Sequence, residues 1–392
     1  MKLKIEKKLC FWLPTYPEIL ESFLVELILR DKYKVNIFCL GAFLPERENN
    51  YNRSLLTSLC NVSQWDNSMT LEDYFVTNMR GNEEAIHIFG GFLGTAGQCL
   101  NIYQNIYLGK QAFVFTEKPS ILPYPSRLKT LVLKPLKCIK SSFVYRNAYR
   151  KNRKAIAGIL VTGEKGVSQL NGYGIPREKL YNFMYTHIEG KLGNNHQTDG
   201  KCIKFVYVGR FNYCNRGLDD LIYAFEHLDA KNWSLDLVGG YGENTNEIIQ
   251  WANNKDNVNY IGGWKSDQVL CNLQQYDICV SPTRVDGWRI QINQAIVAGI
   301  GTITTHEAIS DELIKYSGAG AVIRASRKKE LLSVLKEVTN NPQLVVKWKE
   351  NAVNYSERIS NKKVVSYFIE IIENSLKTNK ETRPICPWII SH

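Results

Sequence analysis

Two arginines open the part of the chain richest in possible chemistry. In residues 205–221, FVYVGRFNYCNRGLDDL, an apolar run ends at Val208, Gly209 turns the chain, and Arg210 and Arg216 lead into a helix-like stretch. Two guanidinium groups near a helix N-terminus suit a diphosphate, through bidentate hydrogen bonds and the positive helix end. Alone this is a weak signal, because an arginine after a strand is more often a surface residue. A second apolar run ends in Val238-Gly239-Gly240-Tyr241-Gly242. Glycine there lets the backbone approach a ligand, or simply makes a tight turn. A third run ends at Ser281-Pro282, and Asp286-Gly287-Trp288-Arg289 follows. A helix then starts at about Ile290 and carries Gln294 one turn in. Asp286 and Gln294 bracket that helix start, where free N–H groups can hold phosphate oxygens.

The elements recur in a recognisable order. After strand-Gly-Arg and Arg-Gly come strand-Val-Gly-Gly-x-Gly, then Gly262-Gly263-Trp264, then YDICVSP, then Asp-Gly-Trp-x-x-x-x-Asn-Gln-Ala. This order resembles the C-terminal domain of retaining glycosyltransferases of family 4, the group 1 glycosyl transferases, over roughly 205–323. The resemblance implies an α/β fold of the GT-B type, two Rossmann-like domains facing across a cleft. It implies that Arg210 and Arg216 hold the diphosphate of a nucleotide-sugar donor. Asp286 stands for the first of the family's two carboxylates, at the donor sugar, and Gln294 for the second, at the ribose. Both depart from the usual glutamate. Aspartate keeps the charge on a shorter arm, and glutamine keeps hydrogen bonding without charge. Arg289 replaces the usual second glycine of the loop, where it would crowd the sugar pocket or reach a phosphate. Trp264 falls where the family positions the nucleobase, either touching the base or packing. Gly209, Gly239, Gly240, Gly287, Trp288 and Ile290 complete the expected donor-binding set.

The N-terminal half is more diverged and is expected to hold the acceptor. His87, in Ala85-Ile-His-Ile-Phe-Gly-Gly91, ends an apolar run. Similar enzymes often place a histidine there beside the donor sugar, and a satisfied core histidine is the other reading. Glu117 ends the next run, as an acceptor contact or base. His87, Asp286, Arg210 and Arg216 form the expected catalytic set. No Asp-x-Asp triplet occurs, which fits a site that uses protein cations and no metal or other cofactor. The resemblance implies retention of anomeric configuration, and a front-face route fits. A nucleotide-sugar epimerase on the same architecture, or a relative that binds nucleotide sugars without catalysis, are the alternatives.

These residues need a scaffold, and the apolar runs supply it. Strand-like runs at 9–13, 35–40, 86–89, 112–115 and 156–161 alternate with helix-like stretches. A second series follows at 205–208, 235–238, 258–261, 278–281, 302–305 and 321–323. Continuous apolar strands separated by helices read as parallel sheets covered on both faces. The chain has 392 residues, enough for two domains of roughly 150–200. The expected division is 1–190, a polar Gly/Asn-rich linker at 191–201, 202–360, and a C-terminal helix and tail at 361–392, with the helix near 362–377. Ten cysteines lack C-x-x-C or zinc spacing and read as thiols in a reducing cytoplasm. No run of about 18 apolar residues occurs, and the charged start does not resemble a signal peptide.

The net charge of +11 is concentrated. Residues 127–154 hold ten basic side chains and no acid, which leaves about one net positive charge (11 − 10) elsewhere. Leu128, Val132, Leu136, Ile139 and Phe143 share a helical face, away from Arg127, Lys134, Lys137 and Lys140. An apolar face beside a basic one is the pattern of a helix in a membrane interface. Pro135 would kink the helix, and Tyr145 and Tyr149 would sit at headgroup depth. The plainer reading is a solvated basic face on a packed helix. Nucleic acid is not expected, because no binding motif accompanies the charge. Lys134, Lys137, Lys140, Arg150, Lys151, Arg153 and Lys154 are the candidate membrane residues. The expected setting is cytoplasmic, peripheral at the inner face of the cell membrane. The expected partners are an anionic surface, a nucleotide sugar and a lipid-linked glycan acceptor, as in bacterial surface polysaccharide synthesis.

Overall fold

The computed structural model describes residues 7–41, 54–120, 127–186, 202–377 and 382–390. The expected linker at 191–201 lies outside the described residues, as does the side chain of Lys134. The chain divides into two compact units.

Unit 1 comprises Met1–Pro119, Cys138–Thr186 and Asn361–Cys386. Its sheet has the strands β1 (Lys8–Leu13), β2 (Lys34–Cys39), β3 (Asn61–Gln64), β4 (Ile86–Phe89), β5 (Ala112–Thr116), β6 (Ile156–Thr162) and β7 (Leu180–Phe183). Their spatial order is β3-β2-β1-β4-β5-β6-β7, and every described pairing is parallel. Such an order reverses direction between β1 and β4, and ligands of doubly wound sheets bind at the strand C-termini there. The apolar runs mark the five inner strands. β3 and β7 are edge strands of four residues, too short and too mixed to show a period.

The last helix, Asn361–Leu376, packs on this unit although it follows the other in sequence. Phe368 lies 5.0 Å edge-on from Phe23 and 6.1 Å from Phe183. Burying such a ring is worth about 1.5–3 kcal/mol. Arg30 donates to Ser366 Oγ and to the Lys362 carbonyl at 2.8 and 2.7 Å, and Lys32 and Tyr33 both meet Glu373.

Unit 2 holds β8 (Ile203–Arg210), β9 (Trp233–Gly240), β10 (Val258–Gly262), β11 (Ile278–Ser281), β12 (Gly301–Thr305) and β13 (Gly320–Ile323). The order is β10-β9-β8-β11-β12-β13, again all parallel, with the reversal between β8 and β11. Phe205, Leu235, Ile278 and Ile303 carry the core beneath the helices.

The basic segment forms one helix, Arg127–Asn152, which runs through Pro135. Leu136, Ile139 and Phe143 are 60%, 65% and 75% exposed. Tyr145 and Tyr149 turn the other way. Tyr149 is buried, and Tyr145 packs against Phe92 and Tyr173. The two tyrosines therefore belong to the core and not to the expected headgroup layer, because they lie on the helix face opposite Phe143. No described helix is long and apolar enough to cross a membrane.

Candidate active site

Glycines bring the ends of β8 and β9 together. Gly209 pairs with Gly239 and Arg210 with Gly240. Gly239 has φ +125°, and a Cβ there would stand 2.1 Å from the Gly209 carbonyl oxygen. Only glycine permits this approach. Beyond β8, Asn212 caps a turn by accepting from the Asn215 N–H at 2.8 Å. That turn presents Arg216, and Gly217 in the left-handed region starts the helix Leu218–Glu226. Arg284, in the loop after β11, staples the turn down. It reaches Asp219 and Asp220 at 2.7 Å each and the Tyr213 carbonyl at 2.9 Å.

Arg210, Arg216, Gly239 and Gly240 line one cavity of about 720 Å³, joined by Tyr241 and Glu243. Arg210 is at the exposed rim. Arg216 Nη1 donates to Asp286 Oδ2. The other oxygen of Asp286 accepts from the Gly287 N–H at 2.9 Å. Asp286 and Gly287 are thus tied to the cavity through Arg216.

The remaining expected donor residues do not line this cavity. Trp288 is buried and donates through Nε1 to Asn293 Oδ1 at 2.9 Å. Gln294 is buried in the helix Ile290–Val297. Trp264 packs near Tyr276, ring centres 6.0 Å apart. Arg289 is 3% exposed, with its guanidinium turned inward beneath Gly209. It therefore neither crowds the cavity nor lies on its wall. Burial pushes its pKa down, and the charge of Arg216 adds to this.

Unit 1 holds the other two candidates. His87 is fully buried, because β4 continues to Phe89 and turns the ring into the core. Trp12 Nε1 donates to its Nδ1 at 3.0 Å, and Nε2 lies 3.0 Å from the Asn82 carbonyl oxygen. Both ring nitrogens are used, so the imidazole presents no free atom to a ligand, unlike the strand-end catalytic group expected from sequence. Desolvation pulls its pKa down from 6.5 to about 4. Glu117 lines a cavity of about 260 Å³ with Tyr16, Glu18, Gly90 and Tyr185, at the C-terminal ends of β1, β4 and β5. Tyr185 donates to Glu117 at 2.8 Å. Nearby Glu21 is raised to about 7 by burial, then by the charge of Glu18.

Sequence reasoning missed Tyr241, Glu243, Tyr260 and Arg284. Tyr241 carried a signal: it sits at φ +54° between glycines, 79% exposed. A bulky residue held at positive φ is an outlier that often marks a functional loop. Tyr260 donates to the Gly239 carbonyl at 3.2 Å from β10, a contact no local pattern announces.

The family model described as Glycosyl transferases group 1 matches residues 191–355. This span belongs to that family. The cavity and its arginines fall inside the group 1 glycosyltransferase span. Solved structures extend the fold likeness over more than nine-tenths of the chain. The lipopolysaccharide outer core galactosyltransferase WaaB is similar at TM-score 0.68 and 13% identity, over 94% of this chain and 100% of that one. Anabaena HepE in complex with UDP and glucose gives 0.69 and 14%, over 94% and 100%. Sucrose-phosphate synthase from Thermosynechococcus elongatus gives 0.72 and 12%, over 95% and 99%. At such identities the likeness speaks for the fold, which is GT-B. No curated protein matches the chain in sequence.

Proposed function

We propose that this glycosyltransferase moves a sugar from a nucleotide-diphosphate donor to a lipid-linked glycan in bacterial surface polysaccharide synthesis, with retention and without a divalent metal. The observation that carries the reading is the pairing of Arg210 and Arg216 on one cavity wall, at the C-terminal edge of β8 and β9. Two guanidinium groups there would neutralise the departing diphosphate, and fixed charges of this kind lower the barrier by stabilising charge that develops in the transition state. Asp286, held by Gly287 and Arg216, would orient the donor sugar for a front-face attack. HepE was solved with UDP and glucose, and WaaB is a galactosyltransferase. These support uridine diphosphate sugars as first donors to try. The exposed apolar and basic helix face supports peripheral attachment at the inner membrane face, where a lipid-linked acceptor resides.

The test is a donor-hydrolysis screen with UDP-glucose, UDP-galactose, UDP-N-acetylglucosamine and GDP-mannose, with nucleotide release and sugar products both followed. Release of nucleoside diphosphate with the sugar retaining its configuration supports the reading. An epimerised sugar points to the epimerase alternative. Nucleotide binding with no release from any donor points to a non-catalytic relative.

A further inference from the structure

Arg289 is the buried cation of unit 2's site, and its partners are nearly all neutral. Nε donates to Ser281 Oγ at 3.0 Å, and Nη2 to the Val208 carbonyl at 2.6 Å. The ring of Tyr207 lies 5.9 Å away. The acid that faces it is Asp286, with Oδ2 4.0 Å from Nη1. The same oxygen accepts from Arg216. One carboxylate therefore stands between two guanidinium groups, one on the cavity wall and one beneath it. The arrangement is built into the backbone. Arg289 reaches the Val208 carbonyl past Gly209, where a Cβ would come within 2.6 Å of Nη2.

Charge counting gives this geometry a purpose. Arg216 and Asp286 alone sum to zero, so a diphosphate would compete with the carboxylate for Arg216 and be repelled by it. With Arg289 the three groups sum to one positive charge. Asp286 then keeps a cation beside it when Arg216 moves to an anion. Such short-range charge interactions are several times stronger away from water than in it. We infer that Arg289 is a positioning residue: the buried counter-ion that holds Asp286 in place while Arg216 passes to an incoming diphosphate. This rests on the donor-site reading above.

Calorimetric titration with UDP and with uridine tests it. The proteins are wild type, Arg289→Met, Arg289→Lys, Asp286→Asn and the Asp286→Asn/Arg289→Met double variant, with thermal melts as a check of folding. Arg289→Met should weaken UDP about tenfold and leave uridine unchanged, a split that general loosening would not produce. Arg289→Lys keeps the charge and should recover most of the loss. With Asp286 neutral, removing Arg289 should no longer matter, because nothing competes for Arg216. The inference is overturned if Arg289→Met binds UDP like wild type, or if its penalty persists in the Asp286→Asn background. If Arg289→Met does not fold, the same cycle with Arg289→Lys decides, since the smaller lysine penalty should also vanish when Asp286 is neutral. If wild type prefers GDP, the pair becomes GDP and guanosine. Wild type that binds no nucleoside diphosphate overturns the donor-site reading itself.

Discussion

Nη1 of Arg216 donates to Oδ2 of Asp286, joining residues 70 positions apart and tying the turn after β8 to the loop after β11. The group proposed to bind the diphosphate and the group proposed to orient the sugar are thereby one unit. Arg216→Ala removes a charge-assisted contact, worth about 1.5–3 kcal/mol, so kcat/KM should fall roughly ten- to a hundredfold. Arg210→Ala should act in the same direction, and its effect should shrink more with salt because Arg210 is at the exposed rim. Initial transfer rates at low and high ionic strength measure both. Normal turnover by the double variant would place the donor site elsewhere.

Asp286 and Gln294 should separate sugar from nucleotide. Asp286→Asn loses the group proposed to orient the sugar and frees Arg216. Transfer should drop steeply while affinity for UDP holds or rises. Gln294→Ala, in the buried helix Ile290–Val297, should mainly weaken the nucleotide. Calorimetry with UDP against UDP-sugar distinguishes them. Parallel losses on both ligands from both variants would reject the two roles.

His87 makes a pH prediction. Its pKa in the fold is about 4, below the roughly 6.5 of an unfolded chain. Between these values the unfolded chain binds more protons, so stability should fall as pH drops from 6.5 toward 4. The full effect is at most about 3 kcal/mol. His87→Gln keeps an acceptor for Trp12 and should flatten that part of the profile without a large change in transfer rate. Urea unfolding of both proteins at pH 7 and pH 5 provides the comparison. An unchanged pH slope in the variant would mean that His87 does not titrate in this window.

What the sequence revealed follows from how local each feature is. Inner strands such as β5 and β6 are continuous apolar runs, so they could be read directly, as could the glycines that close β8 on β9. The edge strand β3, Asn61–Gln64, is polar and owes its existence to pairing with β2. The helix Asn361–Leu376 was legible as a helix, but its docking on unit 1 through Phe368 and Ser366 depends on partners more than 300 positions away. The same limit applies at the site. Arg210 and Arg216 follow their strand closely, so their place at its C-terminal end could be read directly. The inward turn of Arg289 depends on Val208, Ser281 and Gly209 meeting in space. His87 was misplaced by two residues of strand.

The helix face at 136–143 makes the membrane part of the proposal testable by itself. Leu136, Ile139 and Phe143 are spaced three and four apart and are mostly exposed, so they lie on one side of the helix. Lys137 and Lys140 are exposed among them, and Arg150, Lys151, Arg153 and Lys154 are exposed further along the chain. Each basic residue near an anionic bilayer is worth on the order of 1 kcal/mol, so even partial engagement dominates adhesion at low salt. Replacing Lys134, Lys137, Lys140, Arg150, Lys151, Arg153 and Lys154 with Gln should release the protein from phosphatidylserine-containing vesicles. The attraction in wild type should fade with salt, as the Debye length shortens below about 8–10 Å. Leu136→Ser, Ile139→Ser and Phe143→Ser together should instead remove the part that survives salt, because that part comes from apolar area buried in the interface. Neither set should slow transfer to a soluble acceptor analogue, since none of these residues lines the proposed donor cavity. Co-sedimentation at low and high salt, with soluble-acceptor rates in parallel, is the measurement. Wild-type protein that ignores anionic vesicles at low salt would make this an ordinary solvated face and remove the main support for a lipid-linked acceptor.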